Sequence, residues 1–290
     1  MGHEVHGHGS AGAIAGVLLL ALVLLTVVGY ACLAHRARRR NPERGWNRWR
    51  TAGFATGVAL VAVALLPPAA TWAHSDFRGH MAQHVLVGMY APLGLVLGAP
   101  VTLLLRTIPA ARGRELVAVL RSGPLRLLCH PATALVLSSG GLVLVYCTPL
   151  HAIASAHPAG HWLLNAHFLL SGCLFAHAIA GPDPGPDRPG VRVRLVYLGC
   201  AIAVHAIIAQ LVYGGWTAVR APAAEVRAGA EIMYYFGDIA ELLLAASLVA
   251  TWHPDRPQIT SPRSPRTALR RRATTRCAPH VLRHLQRSGD

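Results

Sequence analysis

The sequence contains no lysine: all 27 of its Lys+Arg residues are arginine. Charge of either sign is scarce, at 13% of 290 residues, where soluble domains carry roughly 25%. Aromatic residues make up only 6%. The six cysteines (Cys32, Cys129, Cys147, Cys173, Cys200 and Cys277) form no Cys-x-x-Cys, so no disulfide framework is expected. There is no Walker loop, no Rossmann glycine pattern, no nucleophile elbow and no His-Glu-x-x-His. Those absences remove the common nucleotide-binding, hydrolase and metalloprotease readings, and no enzyme activity is expected. A net charge of +15 in a soluble chain would suggest nucleic acid. Here the arginines lie between apolar blocks, where charge orients a chain in a membrane, and no nucleic-acid partner is expected.

What is abundant is hydrophobic sequence, 53% of the chain. It falls in seven blocks: 11–34, 51–73, 80–105, 131–150, 161–181, 192–213 and 231–252. Each approaches the ~20 residues that cross a hydrocarbon core of roughly 30 Å, and helices satisfy the backbone in lipid. The expectation is an all-α, polytopic bundle of about seven transmembrane helices in the cell membrane. Segments 35–50, 106–129, 182–194 and 253–290 carry seven, five, three and nine arginines, together 24 of the 27. The positive-inside rule then predicts N-out and C-in. The first block is read as a span rather than a cleaved signal, because its basic residues follow it. Residues 1–10 form a histidine-bearing outer end, 11–252 the membrane domain, and 253–290 a basic, disordered inner tail. Pro67 and Pro68 are expected to kink or end the second span, and Gly181-Pro-Asp-Pro-Gly-Pro to form a stiff inner turn.

Histidine is the other abundant type, with 17 copies. In the predicted orientation His3, His6, His8, His74, His80, His84, His151, His157 and His161 lie at the outer side. Counting at ~1.5 Å per residue, His84 sits about one turn inside the third span and His167 ~9 Å into the fifth. By the same rise His205 lies ~12 Å below the outer end of the sixth span and Asp238 ~10 Å into the seventh. Glu241 follows Asp238 by three residues, on the same face. Four helices thus carry ionisable groups into one shallow layer. Such groups cost several kcal/mol in lipid unless they face the bundle interior and find partners. Imidazoles with nearby soft donors (Met81, Met89, Met233 and Cys147) favour copper ahead of zinc. Against this, a single intramembrane histidine is often only an interhelical hydrogen-bond partner, and His151 and His157 read as ordinary interface residues.

The stretch from His80-Met-Ala-Gln-His84 through Tyr90-Ala-Pro-Leu to Leu97-Gly-Ala-Pro100 resembles the caa3-type cytochrome c oxidase assembly factor family, CtaG in bacilli. Similar pieces follow in order: His130-Pro131, Tyr146-x-x-Pro149-Leu150, His161 with His167, Gly181-Pro-Asp-Pro, His205, and Met233-Tyr-Tyr-Phe-Gly-Asp238-Ile-Ala-Glu241. The last piece looks like the actinobacterial version. The resemblance implies a part in maturing a haem–copper oxidase, with its subunits as partners and copper supply or assembly of its catalytic subunit as the role. It implies no ligand set.

From the residues themselves the expected metal ligands are His80, His84, His161 and His167, with His205 and Asp238 deeper and Met81 as a soft donor. Two other functions stay open: a membrane haem protein with His167 and His205 as axial ligands, and a copper transport or resistance protein. A transporter needs polar or soft groups through the inner half, where Cys173, His177 and Cys200 offer no continuous path.

Overall fold

The computed structural model describes residues 6–185 and 188–251, with side chains from Gly16 onward apart from Pro158. Among them every regular element is helical. The helices are α1 His6–Arg40, α2 Arg48–Leu65, α3 Ala69–Ser75, α4 Phe77–Val85, α5 Ala91–Leu97, α6 Pro100–Thr107 and α7 Ala110–Leu120. They continue with α8 Gly123–Leu128, α9 Pro131–Leu135, α10 Gly141–Cys147, α11 Leu150–Ser155, α12 Pro158–Ala180, α13 Val191–Tyr213 and α14 Ala223–Thr251. Two π segments, Leu86–Tyr90 and Val136–Gly140, join α4 to α5 and α9 to α10. The chain divides after Trp252, and the tail 253–290 lies outside the described residues. So does the start of the histidine-bearing N-terminus, and the side chains of His6 and His8 are likewise undescribed.

Among the described residues five helical stretches are long and apolar enough to cross a membrane: 16–40, 77–107, 159–180, 191–213 and 223–250. A sixth arises if α2 and α3, bent by 49°, are one broken span. The bend falls at Pro67-Pro68, as expected of residues that cannot continue the hydrogen-bond ladder. The remaining apolar block is the helix Pro131–Cys147. At its 17 residues and 1.5 Å per residue it measures about 25 Å, short of a full hydrocarbon core. Exposed apolar side chains such as Leu18 (64%) and Leu25 (70%) coat α1. Water does not tolerate such continuous patches, but lipid does. The chain is an all-α polytopic membrane bundle.

Local sequence sets where the helices begin and turn. The Asn47 side chain accepts from Trp49 N at 2.8 Å to cap α2, and Asp76 accepts from Arg78 N at 2.8 Å to cap α4. Arg78 beside Asp76 holds that carboxyl down to about 2, so the cap stays charged. His130 Nδ1 accepts from Ala132 N ahead of Pro131, which accounts for His130-Pro131 as a helix start. The chain turns at Ala99 (φ 51°), and the buried Asp183 then accepts from Val101 N and Thr102 N to cap α6. That bond gives the aspartate of the Gly181-Pro-Asp-Pro turn a structural task.

Small residues bring the central helices close. Gly53 and Gly57 on α2 face Gly94 and Gly98, which lie in and just beyond α5. A Cβ on Gly57 would meet Leu95 N at 2.6 Å and Ala91 O at 2.8 Å. A Cβ on Gly94 would meet Gly53 O at 2.8 Å. Gly53 and Gly57 therefore pack backbone to backbone on the Ala91–Leu95 segment around Gly94, while Gly98 makes room for the Phe54 side chain, the kind of small-residue seam that binds helices where lipid removes the hydrophobic drive. α13 packs on α14, α14 on α4, and α12 on α5 and the first π segment. Gly57→Leu is expected to destabilise the purified protein by about 1–3 kcal/mol. Thermal unfolding in detergent checks this, and a transition unchanged from wild type would contradict the close α2–α5 seam.

Candidate metal centre

α4 begins at the Asp76 cap, and its fourth and eighth residues are His80 and His84, one turn apart on one face. Both are buried, at 8% and 6% exposure. α14 supplies Asp238 and Glu241 at i and i+3, and α13 supplies His205. One nitrogen of His205 and one oxygen each of Asp238 and Glu241 all lie within 4.8 Å of one another. No other group of three or more His, Cys, Asp or Glu among the described residues comes together this way. His205 Nδ1 stands 4.0 Å from Glu241 Oε1. Both ring nitrogens of His205, and Glu241 Oε2, are buried without a hydrogen-bond partner. An unpaired polar atom in a dry interior costs about 1–3 kcal/mol, so a set of three at one point is strongly unfavourable unless something bridges them. Two ligands on opposite sides of an ion at ~2.1 Å stand about 4 Å apart, close to the spacing seen.

Glycine makes room for this. A Cβ on Gly237 would overlap the His205 ring, so only glycine lets the imidazole lie flat against α14. A pocket of about 70 Å³ opens beside the triad, bordered also by His84, Met89, Ser138 and Ser171. Both π segments reach it, through Gly88 and Met89 on one side and Ser138 and Ser139 on the other. Such π turns add a residue to the helix and recur at functional sites. The Tyr90 hydroxyl, at the end of the first, donates to Phe236 O at 2.9 Å and ties that segment to α14 beside the triad.

Toward the ends of α4 and α12 the imidazoles pair. His80 and His151 have ring centroids 4.6 Å apart, edge to face. His80 Nε2 also lies 3.1 Å from the Tyr146 hydroxyl, which is wholly buried. His74 and His161 lie 4.3 Å apart. His74 is exposed, with Nδ1 bonded to Ala70 O. His151 Nε2 and His84 Nδ1 are further buried nitrogens without a partner. Burial, and secondarily His161, push the His151 imidazole below its usual pKa, which favours the neutral form that binds metals.

The expected residues thus separate. His205 and Asp238 meet, with Glu241 as a third member, and His84 borders their pocket. His80 pairs with His151 rather than with His84's pocket, and His161 pairs with His74. His167 is not drawn in: its Nε2 faces Gly141 on α10, where a Cβ would overlap it. Six residues on a helix turn the chain by about 240°, so His161 and His167 occupy different faces. Met81 is fully buried in the apolar core, where a Cβ on Gly229 would meet its Cγ at 3.2 Å. His74, His151 and Glu241 were not among the expected ligands. The i, i+3 spacing of Asp238 and Glu241 was the signal for the last; nothing in the sequence pairs His151 with His80.

The sequence matches the cytochrome c oxidase caa3 assembly factor (Caa3_CtaG) family over residues 28–254, most of the chain and all of the site. The chain belongs to that family. Among curated proteins, it is 35% identical over 196 residues to uncharacterized proteins of Mycobacterium bovis (strain ATCC BAA-935 / AF2122/97) and Mycobacterium tuberculosis (strain CDC 1551 / Oshkosh). These matches cover 65% of this chain and 29% of each relative. An uncharacterized protein of Mycobacterium leprae (strain TN) is 33% identical over 187 residues, 62% of this chain and 28% of its own length. The chain therefore spans less than a third of the length of these relatives. No solved structure matches it. The family match contains His74, His80, His84, His151, His161, His205, Asp238 and Glu241 within its bounds.

If Gly237 exists to admit the His205 ring, Gly237→Ala should lower stability by about 1–3 kcal/mol. In a His205→Ala background the same change should cost less than about 0.5 kcal/mol, since the obstructing ring is gone. Thermal unfolding of the four proteins of the cycle checks this, and equal penalties in both backgrounds would contradict the contact.

Proposed function

We propose that this chain is a membrane-embedded assembly factor for a haem–copper oxidase that holds a copper ion between His205, Asp238 and Glu241, with His84 across the pocket. The observation that carries the reading is the triad: three ligand atoms within 4.8 Å, with unpaired nitrogens and an unpaired oxygen. Imidazole and carboxylate donors suit a divalent transition ion, and Met89 beside the same pocket adds a soft donor. Neutral imidazoles and ionised carboxylates supply lone pairs, and a bound ion removes the cost of burying them unpaired. The site lies in the outer leaflet of the cell membrane on the arginine-based orientation. From there the ion passes to the oxidase subunit that receives it, and the chain performs no bond chemistry of its own.

Holding is favoured over carrying an ion through the membrane. Beyond the triad, on the side away from the paired imidazoles, Leu244, Leu248, Phe175, Ile179 and Leu198 close into an apolar cluster. A pocket of about 70 Å³ also suits an ion and a few waters, well below the ~300 Å³ or more of a cofactor-sized cavity, which favours an ion over haem.

Copper binding by the purified full chain in detergent tests the ligand set. His205→Ala and Glu241→Gln should each weaken binding by on the order of 10–100-fold or more, the scale of losses around metal ligands. Wild-type affinity in both variants would remove the triad as the site. Deleting the gene should lower the haem–copper oxidase signal in optical spectra of membranes; undiminished oxidase would remove the assembly role while leaving metal binding intact.

A further inference from the structure

We infer that the two imidazole pairs, His74–His161 and His80–His151, form the access route by which a transition-metal ion reaches the buried site from the open end of the bundle. The inference rests on the triad being a metal site and adds a task for residues that the triad leaves unused.

Exposure falls steadily along the line. His74 is exposed, His161 and His151 are half-buried, and His80, His84 and His205 are buried. The packing connects the steps: α3, carrying His74, lies on α4, and α11, carrying His151, lies on α12 with His161. His80 and His84 stand one turn apart on α4, and His84 and His205 line the same pocket. The order along these elements runs from the exposed His74 to the pocket that His205 and Glu241 border. Two rings with centroids 4.3 or 4.6 Å apart can turn their nitrogens toward a shared ion. Neither pair provides the third ligand that would retain it. The triad does.

A purely structural role for the pairs accounts less well for the details. Histidines kept for interhelical bonding have their nitrogens satisfied. Here His151 Nε2 and His84 Nδ1 are buried without partners, one in the middle of the line and one at its inner end. His80 Nε2 is held by the Tyr146 hydroxyl, and His74 Nδ1 by Ala70 O. The Tyr146 contact fixes the His80 ring edge-on to His151 and leaves its Nδ1 free of it. Transfer along such a line needs only ligand exchange. One imidazole lone pair replaces another on the ion, with no change in oxidation state.

The test separates rate from affinity. Purified full chain in detergent is mixed rapidly with chelator-buffered Cu²⁺, and loading is followed in time and to its end point. His74→Ala/His161→Ala, both near helix ends and outside the packed core, should slow loading by on the order of tenfold while the final occupancy of the buried site stays at the wild-type value. His80→Ala/His151→Ala should do the same, and the two changes combined should be no slower than the slower of them if they act on one route. Wild-type loading rates in the surface pair variant would overturn the route. So would a loss of equilibrium binding in that variant with its fold intact, since the pair would then be ligands of the resting site. His205→Ala that loads like wild type would instead overturn the triad as the destination. The rate arm and the occupancy arm thus fail separately.

Discussion

Lipid gives a helix bundle no water with which to satisfy a buried polar atom, so each such atom must find its partner inside the protein. Most of this bundle obeys. Gln83, buried between α2 and α12, donates to Ala64 O at 2.7 Å and accepts from Asn165 at 3.4 Å. Asp183 is used up by two backbone amides, and Arg188 by the carbonyls of His177, Gly181 and Asp183. The exceptions include Thr51, Ser155, His167 and Arg194 as well as His84, His151, His205 and Glu241, and the last four are those that the proposed access line and triad join. The rest of the site depends on those four. A bundle selected only for stability would have replaced these groups with apolar residues of similar volume, which cost nothing to bury.

The geometry of the line comes from residues with little or no side chain. Gly237 lets His205 lie against α14, and Gly172 admits the Gly88 backbone at the pocket wall. The seam of Gly53, Gly57, Gly94 and Gly98 locks α2 to α5 below the π segment that brings Met89 to the pocket. The π segments rotate the helix beyond them by an extra residue, which turns Gly88–Met89 and Ser138–Ser139 toward the same space. Packing and chemistry are therefore coupled. The close contacts that substitute for a hydrophobic drive in lipid also set where these side chains point.

Position along each helix was legible in the sequence, and direction around each helix was not. A fixed rise per residue put His84, His205 and Asp238 at one level; His84 and His205 line one pocket, and Asp238 meets His205 beside it. The helical blocks were equally plain, because apolar runs of that length have one economical structure in lipid. The azimuth failed at His167, which counts to the right depth but faces Gly141. It failed again at Met81, one residue past His80 and therefore turned by ~100° into the core. His151 read as an ordinary interface residue, because the short helix α11 that folds it back onto His80 follows a proline and has no periodic signal of its own. The family resemblance anticipated the family membership and said nothing of how these rings meet.

An ion at the triad is the claim from which the access line, the glycine at 237 and the role in oxidase assembly take their meaning. The most direct test is anomalous diffraction at the copper edge from crystals of the metal-loaded full chain. The triad predicts a buried peak about 2.0–2.2 Å from a nitrogen of His205 and from carboxylate oxygens of Asp238 or Glu241. A peak confined to the surface histidines, with none between α13 and α14, would contradict it.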